Sequence, residues 1–375
     1  MNRSWNTKRI VVKIGTSALT KSDGTLNRGY MQHVARQISE LITQGKTVTI
    51  VSSGAIVSGV KELGIRAMPK DIPSRQAAAS VGQGILMDAW RDAFRRYGVQ
   101  VAQILLTYEA FSNRRTYVNL RNSMTVLARR KAVPIINEND TISVHEIEKT
   151  FGDNDKLSAM VASNTHAELL IVLTDVNGLY TKNPRFPDAK LITEVPEISR
   201  QIENFAGEAR SWRSKGGMKS KIEAARIATM SNCSMVIANA RKHDVILRAV
   251  RGERVGTFFK PIQIPSSSKR RWIRHVSSSG AINVDHQAAR LLFKGNSLPP
   301  SALQHVEGDF DAGSVVSICL EGTEFAKGVI DYSSEELNRI KGTHASKIER
   351  ILGYKNYSTV VRKENVIFTK EHGEY

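Results

Sequence analysis

Short β-branched runs alternate with longer segments of helical period through roughly the first 260 residues of this 375-residue chain. The run 9–14, Arg-Ile-Val-Val-Lys-Ile, reads as a buried strand that stops at Gly15. Asn27 is placed as a helix N-cap, and Met31, Val34, Ile38, Leu41 and Ile42 then keep helical spacing until Gly45 closes the segment. The same alternation predicts strands at 47–51, 99–106, 133–136, 168–173 and 235–238, and helices at 74–97, 114–131, 157–163 and 219–231. Strands that alternate with helices imply a mainly parallel sheet covered on both faces, an α/β architecture of the αβα sandwich type. Ligands of such sheets bind beyond the carboxyl ends of the strands. The turns rich in Gly, Ser, Asn and Asp fall there.

At 261–268, Pro-Ile-Gln-Ile-Pro-Ser-Ser-Ser breaks the alternation and reads as a linker. Beyond it come short strands with glycine turns at 281–284, 315–320 and 326–332, and a helix near 287–293, the pattern of a separate small β-rich domain. The expected division is 1–262, a linker 263–277, a β-rich domain 278–357 and a C-terminal tail 358–375.

Composition narrows the class. An apolar content of 41% and a charged content of 24% are those of a globular chain with a sizeable core. The first nine residues carry charge without an apolar stretch, so no secretory signal is expected. The apolar run 169–173 is far short of the roughly 20 residues that span a bilayer. Two cysteines, Cys233 and Cys319, lie far apart without local metal-ligand partners, which argues against a disulfide framework and fits a reducing cytoplasm. The formal net charge is +18, but the basic surplus is 16 within residues 1–265 and only 2 beyond them. A field of that sign suits anionic small ligands or nucleic acid, and equally a solvated, self-repelling surface.

Four turns could carry chemistry. In the first, Lys13-Ile14-Gly15-Thr16-Ser17, a lysine interrupts an apolar strand. Buried without a partner it would cost several kcal/mol, so it either meets an anion at the strand end or snorkels to water. The second, Ser52-Ser53-Gly54-Ala55, offers hydroxyls and amides to a carboxylate or phosphate, or simply caps the next helix. The third pairs Asn137-Glu138-Asn139-Asp140 with Gly152-Asp153-Asn154-Asp155. Carboxylates and amides gathered at strand ends can hold an amino group, order lysines or reach Mg²⁺ through water; they also make turns and caps. The fourth is the basic stretch 210–221, which enters a helix and carries Lys215, Gly216, Gly217, Met218, Lys219, Ser220 and Lys221. Amides at a helix N-terminus favour phosphate, and lysines in a first turn are unfavourable against the dipole unless an anion relieves them. Two nucleotide-like patterns fail. Gly45-Lys46-Thr47 precedes a strand, and Gly82-Gln83-Gly84 falls inside a helical segment.

Taken in order, Val12-Lys13-Ile14-Gly15-Thr16-Ser17, Val51-Ser52-Ser53-Gly54-Ala55-Ile56, Asn137-Glu138-Asn139-Asp140, Phe151-Gly152-Asp153-Asn154-Asp155, the stretch 173–180 with Thr174 and Asp175, and Gly216-Gly217-Met218 resemble the amino-acid kinase family. The tail, through Gly280-Ala281-Ile282-Asn283-Val284-Asp285, Gly308-Asp309-Phe310 and Gly313-Ser314-Val315-Val316, resembles the PUA domain. The resemblance implies the amino-acid kinase fold and phosphoryl transfer from ATP, with Mg²⁺, to the γ-carboxylate of L-glutamate. By motif it implies that Lys13 and Lys221 stabilise the transferring group and that Asp155 orients them. It further implies that Ser53, Gly54, Asn137, Asp140, Asp153 and Asn154 hold the amino acid, and that Thr174, Asp175 and 215–221 hold ATP. A homo-oligomer and feedback inhibition by proline are expected on the same ground, whereas RNA binding by the nearly neutral tail is not favoured. One departure stands out: family members carry Gly-Thr-Gly-Gly-Met where this chain has Ser214-Lys215-Gly216-Gly217-Met218.

Overall fold

The computed structural model describes residues 7–112, 114–143, 154–208, 217–262, 270, 273–274, 276–355 and 357–369. The chain forms two compact units, Met1–Tyr108 with Val118–Ile264 and Glu109–Tyr117 with Pro265–Tyr375. Grouped this way the first unit is discontinuous in sequence, which a division at a single linker does not give.

The first unit is built on an eight-stranded sheet of β1 (Arg9–Ile14), β2 (Thr47–Ser52), β3 (Val101–Leu106), β4 (Val133–Glu138), β5 (Leu169–Thr174), β6 (Glu194–Val195), β7 (Ser234–Asn239) and β8 (Gly256–Phe259). Their order is β3-β4-β2-β1-β5-β7-β8-β6. Every pairing is parallel except β7 with β8. Strand β1 is central, with Ile10 opposite both Val48 and Leu169, and its apolar residues are buried on both faces. This is why its apolar residues follow one another rather than alternate, with Lys13 the exception.

Helices cover both faces. Helix Arg28–Thr43 starts where Asn27 accepts a hydrogen bond from the Tyr30 N–H (3.2 Å) and buries Met31, Val34, Ile38, Leu41 and Ile42, as its spacing predicts. Helix Ile72–Arg95 begins two residues before the expected 74, because Asp71 caps it by accepting from the Ser74 N–H (2.8 Å) and Pro73 is compatible with a first turn. Strand β3 begins at Val101 rather than 99. Helix Asn154–Thr165 starts three residues before the expected 157. Its first two residues, Asn154 and Asp155, are polar yet buried, so hydrophobic spacing cannot reveal it. Strands β6 and β8 and helices Arg200–Glu208 and Val245–Val250 are further elements that the alternation did not predict.

The second unit holds a five-stranded sheet of β9 (Ala281–Val284), β10 (Leu303–Glu307), β11 (Val315–Leu320), β12 (Thr323–Ile330) and β13 (Val361–Phe368), in the order β10-β9-β11-β12-β13. Helix His286–Phe293 covers the expected 287–293. The stretch from 358, expected as a tail, instead contains β13, which pairs antiparallel with β12 and buries Val361, Val366 and Ile367. Burying these apolar side chains secures the strand. Among the described residues, no helix is long and apolar enough to cross a membrane.

Candidate active site

The carboxyl ends of β4, β2, β1 and β5, adjacent in the sheet, open into one cavity of about 390 Å³. Strand β4 contributes Asn137 and Glu138, the turn after β2 gives Ser53 and Gly54, β1 gives Lys13 and Gly15, and β5 gives Leu173 and Thr174. Gly54 sits at φ 102°, a backbone position that L side chains rarely adopt, and opens helix Ala55–Glu62 without any side-chain cap. Helix Met218–Met230 also starts at a glycine, Gly217, and lacks a side-chain cap. Its first-turn N–H groups are therefore available to a ligand.

Lys13 does not snorkel. It is only 6% exposed, and its Nζ lies 2.5 Å from Asp155 Oδ1. Lys221, 5% exposed, approaches the other oxygen of the same carboxylate, Nζ to Oδ2 at 3.0 Å. The Ser220 hydroxyl is also 3.0 Å from Oδ2. Asp155 is fully buried. Burial alone would push its carboxyl up, but the ammonium groups of Lys13 and Lys221 outweigh burial and hold it well below the usual carboxylate range. One carboxylate thus serves two buried cations.

Beside the triad lies a network of amides. Asn154 Nδ2 donates toward Asn137 Oδ1 (2.9 Å), Ser53 Oγ (3.0 Å) and the Ser52 carbonyl (3.1 Å). Asn137 Nδ2 in turn donates to Gln83 Oε1 (2.9 Å) on helix Ile72–Arg95. From the same helix, Trp90 Nε1 donates to Ser52 Oγ (3.0 Å). Thr174 Oγ1 donates to Asp175 Oδ1 (3.1 Å) at the rim of the cavity.

Of the residues expected from sequence, Lys13, Ser53, Gly54, Asn137, Asp140, Asn154, Thr174, Asp175 and Lys221 line this one cavity. Asp155 lies behind it and holds both lysines. Gly217, Met218, Lys219 and Ser220 open helix Met218–Met230, and of these Ser220 reaches the Asp155 carboxylate while Lys219 is exposed. Asp153, Lys215 and Gly216 lie outside the described residues. The cavity is also lined by Thr16, Ser17 and Ile56, which the sequence motifs contained without a role, and by Thr20, Val57 and Met68, which sequence reasoning did not single out. Gln83 was visible only as part of a failed nucleotide pattern, and it does lie inside a helix. The available signal was a polar residue on a face that helical spacing buries.

The chain matches the amino acid kinase family over residues 8–239 and the PUA domain over residues 280–352. Similar curated proteins include the glutamate 5-kinase of Methanococcoides burtonii, 51% identical over 360 residues that span 96% of each chain. The glutamate 5-kinase of Methanosarcina mazei is 50% identical over 371 residues, 97% of this chain and 96% of its own. That of Thermoanaerobacter sp. is 44% identical over 370 residues, 98% of this chain and 99% of its own.

Proposed function

The chain belongs to the amino acid kinase family, among its glutamate 5-kinases, and we propose that it transfers the γ-phosphoryl group of ATP to the γ-carboxylate of L-glutamate. The observation that carries this reading is the pair of buried lysines on one carboxylate, at the end of a cavity lined by amides and hydroxyls. A carboxylate oxygen of glutamate attacks the γ-phosphorus, a new O–P bond forms, and the bond to the β–γ bridging oxygen breaks. The products are L-glutamyl 5-phosphate and ADP, the first step toward proline. The attacking carboxylate, with an ordinary pKa of about 4.3, is already ionised at neutral pH, so no general base is required. Catalysis then consists of in-line positioning and neutralisation of charge on the equatorial oxygens.

Lys13 and Lys221 supply that neutralisation from opposite oxygens of Asp155, which fixes the separation of the two ammonium groups before substrate arrives. Because the triad is buried, the lysines act on the transferred group with little screening by water. The uncapped amides at Gly217–Lys221 suit the nucleotide phosphates, with Thr174 and Asp175 at the nucleotide end of the cavity. Ser53, Asn137, Asp140 and Asn154 suit the amino acid. Mg²⁺ enters with the nucleotide as part of the substrate. Among the described residues no group of three or more His, Cys, Asp or Glu side chains could hold a metal ion, and Asp155 is committed to the lysines.

The test is hydroxamate formation from MgATP and hydroxylamine, with L-glutamate, L-aspartate and N-acetyl-L-glutamate as alternative acceptors. Signal with L-glutamate alone is expected. Signal with aspartate or acetylglutamate and none with glutamate would overturn the assigned acceptor.

A further inference from the structure

Helix Ile72–Arg95 stands behind the substrate end of the cavity, and nothing in the reaction so far uses it. It is held unusually close to helix Ala55–Glu62. A Cβ added at Gly59 would lie 1.7 Å from the Ala78 carbonyl oxygen, and one added at Gly82 would lie 1.8 Å from that of Ala55. The two backbones touch through these glycines. The residue next to Gly82 is Gln83, 8% exposed, whose Oε1 accepts from Asn137 Nδ2 at 2.9 Å. Its Nε2 is buried without a hydrogen-bond partner among the described residues.

The donors and acceptors of this network have a direction. Asn137 Oδ1 already accepts from the Glu138 N–H (2.9 Å) and from Asn154 Nδ2 (2.9 Å). Its Nδ2 must therefore face Gln83, and the carbonyl oxygen of Gln83 is the acceptor that keeps it there. With Asn137 so oriented, Asn154 turns its Nδ2 inward to Asn137, Ser53 and Ser52. Asn154 Oδ1 is left buried and without a partner among the described residues, on a residue that lines the cavity. An amide flip at Asn154 would set its oxygen against the oxygens of Asn137 and Ser52. Gln83, together with the Glu138 N–H and the Ser52 carbonyl, holds the orientation in which the atom of Asn154 left over is an acceptor. The Ser53 oxygen, already receiving from Asn154, can direct its own proton into the cavity.

We propose that Gln83 is a positioning residue: acting through Asn137, it presents Asn154 Oδ1 to the α-ammonium group of the substrate and so sets the preference for an α-amino acid over a plain dicarboxylate. This rests on the reading of the cavity as the glutamate site. A buried acceptor left unpaired is costly, and sites built to bond a substrate N–H strongly reject analogues that lack it.

The experiment compares kcat and KM for L-glutamate and for glutarate, which lacks the α-amino group, in the full chain and in Gln83→Leu, Gln83→Glu, Asn137→Ala and the Gln83→Leu/Asn137→Ala double variant. In Gln83→Leu we expect KM for L-glutamate to rise roughly tenfold and the preference over glutarate to fall by a similar factor, with kcat and KM for MgATP within about twofold. Gln83→Glu keeps an acceptor facing Asn137 and holds the preference within about threefold of the parent. Gln83→Leu adds less than about twofold when Asn137 is already alanine. An unchanged preference in Gln83→Leu overturns the proposal, as do an equal loss with both acceptors and full additivity with Asn137→Ala. If Gln83→Leu unfolds below the assay temperature, Gln83→Glu carries the test, and a lost preference in that variant at an unchanged melting temperature overturns the proposal. A parent chain that makes no hydroxamate from L-glutamate would sink the kinase reading itself; a parent that does, beside an unaffected Gln83→Leu, would sink only the role of Gln83.

Discussion

Asp155 is the residue on which the site turns, because it is fully buried and two cations converge on it. Its carboxyl is depressed, so its contribution to stability is complete above the unfolded carboxylate pKa of about 3.9 and disappears only as pH falls through the lower folded value. Replacing it leaves Lys13 and Lys221 buried without that carboxylate. Asp155→Asn should cost about 3–5 kcal/mol of stability at neutral pH, measured by urea unfolding. The difference between parent and variant should stay flat from about pH 8 to pH 5 and shrink only below the ordinary carboxylate range. A difference that already shrinks between pH 7 and pH 5 would mean that the carboxyl is not depressed by the lysines.

At the scale of elements, the substrate end of the cavity depends on two helices meeting backbone to backbone. Helix Ala55–Glu62 carries the turn of Ser53 and Gly54, and helix Ile72–Arg95 carries Gln83 and Trp90, which reach Asn137 and Ser52. The glycines at 59 and 82 let both sets reach the same strand ends. Gly59→Ala puts a methyl group into a fixed carbonyl and should destabilise the first unit by about 3 kcal/mol in urea unfolding. A loss under about 1 kcal/mol would show that the helices can part at little cost.

At the scale of the molecule, each unit has its own hydrophobic core, one around Trp90, Phe94 and Met31, the other around Phe325, Tyr332 and Ile282. Each unit also buries one free cysteine. Burial raises the thiol pKa of both Cys233 and Cys319, which slows reaction because the thiolate is the nucleophile. Neither thiol should react with a disulfide reagent in the native protein. In increasing urea, Cys233 and Cys319 should become reactive at different midpoints, resolved by mass spectrometry of the labelled peptides. Coincident midpoints would show that the two cores unfold as one.

Sequence by itself determined the alternation of strand and helix, the carboxyl-end turns and the ordered motifs, because burial on both faces leaves continuous apolar runs and strand ends require small, polar residues. Lys13 was legible as an anomaly in an apolar strand, though its partner was not: Asp155 lies 142 positions away along the sequence. The first turn of helix Asn154–Thr165 escaped hydrophobic spacing because its buried residues, Asn154 and Asp155, are polar and pair with residues of other elements. The strand Val361–Phe368 escaped because its short apolar run only becomes a sheet edge once β12 lies beside it. Only the tertiary structure brings Lys13 and Lys221 onto one carboxylate and turns Gln83 toward Asn137. The physical reason is that periodicity reports which side of an element is buried, whereas the pairing of buried polar groups depends on distances that close only when β4, β2, β1 and β5 lie side by side.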